Sequence, residues 1–188
     1  AVRSVLVVEE CENEEEDEDL EIKCEVTNNA NIPDATKPKV GSVQCGFPGT
    51  SGGPVTIRFN NSPDIAMFSG DRANNTFDLT DVQSGDCVEI KFGKNASGKY
   101  IAGLIEHEGQ GCESTELHGE LDSFNDGSDI TALGITFTVS AGTEFEPGKS
   151  ALTAGALVEI SDDGADGTAD EVEIEDEGDD EDDDDDDD

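Results

Sequence analysis

The chain has 188 residues and a formal net charge of −38, set by 48 acidic residues against 10 Lys and Arg. That balance excludes nucleic acid and anionic membrane as partners, because a phosphate surface is held by Lys and Arg that displace its counterions. No run approaches the roughly 20 apolar residues of a membrane span, which leaves cations, basic partners, mineral surfaces, or solubility in a salty environment.

Residues 1–8 are nearly all apolar, with Val2, Val5, Leu6, Val7 and Val8, and predict a strand buried on both faces. The next stretch, 9–19, is acidic at nine of eleven positions and predicts a solvated loop. Leu20 to Val26 alternates Leu20, Ile22, Cys24 and Val26 with Glu21, Lys23 and Glu25, the pattern of a half-buried strand. Residues 28–39 carry Pro33 and Pro38 and predict a linker, so 1–39 reads as strand, acidic loop and linker.

A first β module is expected over 40–115, with strands at 40–45, 55–60, 65–68, 76–79, 87–92 and 100–107. A second is expected over 116–175, with strands at 117–124, 131–140, 144–145, 157–161 and 169–174 and one helical turn within 150–156. The last stretch, 176–188, is a poly-acidic tail that cannot bury itself. The chain also repeats itself: Gly85-Asp86-Cys87-Val88-Glu89-Ile90 returns as Gly155-Ala156-Leu157-Val158-Glu159-Ile160. Gly98, Ala102 and Ile105 follow the first copy, and Gly167, Ala169 and Ile174 the second. A fixed-period echo marks a tandem unit. The expected fold is all-β: two tandem small β-barrel or sandwich modules with an N-terminal strand and a disordered acidic tail.

The run from His118-Gly119-Glu120-Leu121 through Ile130-Thr131-Ala132-Leu133-Gly134-Ile135 to Val172-Glu173-Ile174 resembles a family of small bacterial modules catalogued as a domain of unknown function. The resemblance covers 117–174 well and 43–106 loosely, where an insertion around Cys45–Pro54 replaces the family's short first turn. It implies a small β-barrel, tandem occurrence and export, and supplies no catalytic residues.

Gly49-Thr50-Ser51-Gly52-Gly53-Pro54 is similar to the nucleophile loop of chymotrypsin-like proteases. The triad needs its histidine upstream of the serine. Here His107 and His118 both lie downstream, so the string reads as a Gly-rich hairpin loop and the two histidines as exposed strand ends. No nucleophile–base pair or phosphate loop is present, and the expectation is a protein that is not an enzyme.

Asp162, Asp166, Asp170 and Glu173 have partial calcium-loop spacing, with Gly167 nearby, and are the candidate metal ligands. Asp122, Asn125, Asp126 and Asp129 form a weaker cluster of the same kind. The alternative for both is turn chemistry. Five cysteines suit an oxidising compartment. The spacing suggests Cys11 with Cys24, Cys45 with Cys112, and Cys87 as a buried thiol. A chain that opens on Ala1 reads as a processed, exported, extracellular or cell-surface protein. The functional expectation is a structural subunit of an extracellular filament or matrix. Val2, Val5, Leu6, Val7 and Val8 would join a neighbouring copy head to tail by strand addition. The alternative is an acidic surface module that binds calcium or other cations without polymerising and needs no other cofactor.

Overall fold

A computed structural model of the chain describes residues 20–31, 40–60, 66–69 and 82–174. Its strands are β1 (Leu20–Asn31), β2 (Val40–Gly46), β3 (Val55–Asn60), β4 (Ala66–Ser69), β5 (Asp86–Lys94) and β6 (Tyr100–Gln110). They continue as β7 (Thr115–Asn125), β8 (Asp129–Ala132), β9 (Ile135–Glu146), β10 (Leu157–Asp162) and β11 (Thr168–Ile174). One 3-10 turn, Lys149–Ala151, overlaps the stretch expected to hold a helical turn. The fold is all-β. The expected strands at 1–8 and 76–79, the acidic loop and the acidic tail lie outside the described residues.

Alternation decides the faces. Leu20, Ile22, Cys24 and Val26 are buried, while Glu21, Lys23 and Glu25 are half-buried between them. β1 runs on to Asn31, inside the expected linker. Its polar end is held by pairing with β2, Asn28 opposite Gln44 and Asn31 opposite Ser42. A second correction falls at 131–140, expected as one strand. It is broken by a two-residue hairpin at Leu133 and Gly134, with φ of 49° and 76°. A leucine in the first turn position hides the signal that Asn or Asp would give. The expected short strand at 144–145 is the far end of the same β9.

Pairing closes the strands into two rings. β1 pairs β2, β2 pairs β3, β3 pairs β6, β6 pairs β5, and β5 returns to β1. β7, β8, β9, β11 and β10 close in the same order. Closure removes most of the sheet edges that would otherwise lie open, and β4 and the far end of β9 pair on one side only among the described residues. The third-to-last contact is parallel in both rings, and every other contact is antiparallel. β3 touches β6 at Arg58–Ile101, and β4 continues along β6 from Leu104 to His107. β9 performs both parts on β11, with an irregularity between them.

The rings meet where β1 pairs β7, with Ile22 opposite Leu117, Glu21 opposite His118 and Lys23 opposite Glu116. Ile22 faces Ile90 within its ring, and Leu117 faces Ile160 within the other. Ile22 and Leu117 are thus equivalent, and exchanging the rings maps the β1–β7 pair onto itself. Both are fully buried, and the apolar core runs as one cluster through both rings.

The Gly-rich string of residues 49–54 forms a loop that crosses from the first ring to the second. The amide of Ser51 donates to the Thr136 carbonyl at 3.1 Å, and the Thr136 amide donates back at 2.8 Å. Phe47 stacks edge-on against Phe137 at 5.6 Å. Gly49, at φ 73°, lies so close to the Asp166–Gly167 backbone that a Cβ would sit 1.7 Å from the Asp166 oxygen. The loop is a clamp between rings, and its glycines permit backbone to touch backbone.

Candidate functional site

Because β5, β1, β7 and β10 are consecutive neighbours, the outward side chains of both rings share one face. Strand alternation makes that face acidic. In one row Glu146 lies opposite Glu173, Glu173 opposite Glu159, Glu159 opposite His118, and His118 opposite Glu21. In the adjacent row Glu106 lies opposite Glu89, Glu89 opposite Lys23, and Lys23 opposite Glu116.

The carboxylates of Glu89, Glu106 and Glu108 converge, with ligand atoms all within 4.8 Å of one another. Glu89 comes from β5 and the other two from β6. Val88 pairs His107 and Cys87 pairs Gly109, so an irregularity in β6 leaves Glu108 without a partner position on β5. Bulges of this kind re-aim a side chain beside a site. The Glu89 carboxyl is pushed up to about 7, first by its hydrogen bond to Glu21, then by burial and by the charges of Glu21, Glu106 and Glu108. The protonated Glu89 donates and the Glu21 carboxylate accepts. Burial works to raise Glu21, but the Glu89 hydrogen bond and Lys91 outweigh it and hold Glu21 below the ordinary carboxylate range. The Lys91 ammonium sits 2.9 Å from Glu21. Three carboxylates in this space repel one another when all are ionised. They offer the oxygen donors that calcium takes.

The sequence-predicted ligands lie elsewhere. Asp162 is fully buried, and its carboxylate accepts the Gly167 amide at 2.8 Å and the Asp166 amide at 3.1 Å. Asp166 accepts the Thr168 amide, and Asp170 accepts the Asp163 amide, each at 2.9 Å. Glu173 lies apart from them on the shared outer face, opposite Glu159. The second cluster is likewise spread over turn contacts: Asp122 accepts the Gly134 amide, Asn125 donates to Asp129, and Asp126 pairs with Lys149. Val2, Val5, Leu6, Val7, Val8 and Cys11 lie outside the described residues.

The disulfides are Cys24–Cys45 and Cys87–Cys112, which corrects the pairing suggested by spacing. Cys24 and Cys45 face inward from adjacent strands with Cα atoms 5.5 Å apart. Cys87 is bonded, not a free thiol. The histidines are mid-strand and half-buried, not exposed ends. His107 Nε2 lies 3.2 Å from the Asp86 carboxylate, and His118 sits in the acidic row. Sequence reasoning missed the glutamate trio because bringing Glu108 beside Glu89 and Glu106 depends on the irregularity in β6, which the alternation pattern does not show. The available signal was the outward phase of Glu89 and Glu106 in adjacent predicted strands.

Residues 118–173 match a domain of unknown function (DUF5666), which spans the second ring from within β7 to within β11. No curated protein and no solved structure matches the chain.

Proposed function

We propose that the chain is an exported, non-catalytic structural and binding protein made of two copies of one barrel module, whose shared outer face takes up divalent cations, calcium first. The observation that carries this reading is the convergence of Glu89, Glu106 and Glu108 on a face where acidic rows run across both rings. A cation there replaces a proton and removes mutual repulsion. Two disulfides fit an oxidising compartment. Isothermal titration of the full chain with calcium chloride at physiological salt should give a saturable component. The Glu106→Gln/Glu108→Gln variant should lose it. Binding that disappears only when 175–188 are removed, and that the variant leaves intact, would assign the heat to the tail and sink the reading.

A filament joined through Val2–Val8 is the second reading. It is favoured by two strand segments, β4 and Gly142–Glu146 of β9, that pair on one side only among the described residues. Such edges accept an added strand. Negative-stain microscopy should show fibres for the full chain and folded monomers once residues 1–8 are deleted. Discrete particles from the full chain would remove the filament.

A further inference from the structure

The two disulfides occupy unlike places. Cys24 and Cys45 are both completely buried, and they join β1 to β2 inside the first ring. Cys87 lies at the start of β5, and Cys112 lies in the connector 111–114 that carries the chain from β6 to β7, from one ring to the other. Cys112 is half-buried. Cys87, Lys23, Glu108, Gln110, Gly111 and Glu113 line a surface recess. Thiol–disulfide exchange needs a thiolate in line with a sulfur, so access decides which bond is attacked first.

We propose that Cys87–Cys112 is a reducible tether on the connector between the rings, while Cys24–Cys45 is a permanent staple of the first. A dithiol thiolate attacks the half-buried Cys112 Sγ, forming a mixed disulfide, and Cys87 leaves as a thiolate on the side of the recess and takes up a proton. The second thiol of the reagent closes on the first sulfur, freeing Cys112 as a thiol and departing as a cyclic disulfide. Two electrons and two protons have moved from the dithiol to the cysteine pair. Reduction frees the connector, whose Gly111 amide donates to the Gly85 carbonyl at 2.7 Å. The rings keep their cores, because the inward residues of β5 and β10 do not depend on the connector.

The test uses the full oxidised chain, with any free thiol first blocked by iodoacetamide. Graded dithiothreitol is followed by maleimide trapping and peptide mass spectrometry, with amide hydrogen exchange on the same samples. Cys87 and Cys112 should label at a dithiol concentration at least about tenfold below that needed for Cys24 and Cys45. The Gly111 amide should then exchange at least about tenfold faster, with Ile90 and Ile160 unchanged. Labelling of Cys24 and Cys45 at the same concentration overturns the proposal, as does an unchanged Gly111 after Cys87 and Cys112 have labelled. A Cys87→Ala/Cys112→Ala variant should fold, keep Cys24–Cys45 and reproduce the Gly111 effect. Its failure to fold shows a structural bond and also overturns the tether.

Discussion

At Glu89 one proton decides the balance of a cluster. Its carboxyl sits at about 7 in the folded chain, raised from an ordinary 4.5. The folded state therefore holds a proton that the unfolded chain has lost, and the stabilisation is complete below pH 4.5. It fades as pH rises through 7. Discounted for solvent screening at a half-exposed site, the effect is worth about 1 kcal/mol. Glu89→Gln should flatten the stability profile between pH 4.5 and 7 and raise the melting temperature at pH 8, because the amide still donates to Glu21. An unchanged profile in thermal melts across that range would show the pair is not coupled. Gly49 is the opposite kind of residue, conserving a backbone contact with no side chain at all. Gly49→Ala places a Cβ 1.7 Å from the Asp166 oxygen at φ 73°. Urea denaturation should show a loss of about 3 kcal/mol, far above an ordinary surface change. That this string forms the loop of a hairpin, between β2 and β3, was legible, but its clamp role was not. That role depends on partner backbone far along the chain, at Thr136 and at Asp166.

At the scale of elements, alternation and turn residues carried most of the information. β3 falls on its expected residues, and β2, β5, β6, β10 and β11 fall within three of theirs, because apolar residues alternate and Gly, Asn or Asp punctuate the gaps. The failures are equally physical. β1 runs into its predicted linker because tertiary pairing overrides weak local propensity. The echo aligned Ile105 with Ile174, but Ile105 pairs Ile90 and Val172 pairs Ile160, so the true counterpart is two residues earlier. The loop after β10 shows why spacing alone misleads: its first aspartate turns inward to hold two amides, a use that is invisible in a list of acids. Asp162→Ala leaves those amides unpaired in the buried turn. It should cost about 3 kcal/mol in chemical denaturation. A loss below about 1 kcal/mol would mean the turn finds other partners.

For the whole molecule, the two rings share one order of strand pairing, and how they join was not legible in the sequence. An internal echo in the sequence does not say which strands touch. The contact lies between β1, whose position before the first expected module gave no hint of it, and β7. The same blindness hid the acidic rows that run from one ring to the other, since a face shared by two rings has no linear signature. The two rings also differ at positions that match in the pairing register. Cys24 opposite Val88 corresponds to Gly119 opposite Val158. Where the first ring has a disulfide, the second has Gly119, so close beneath Leu133 that a Cβ would lie 2.7 Å from its Cγ. One side solved the packing with a covalent bond and the other with a folded-back leucine.

The β1–β7 joint has the geometry of a two-fold dimer interface whose partners share a single chain. Separate subunits joined this way would fall apart on dilution. Here the connector supplies the partner at a fixed effective concentration, so the pairing is unimolecular. The joint therefore persists at any dilution, and a substitution in one half never has to suit a second copy of itself across the interface.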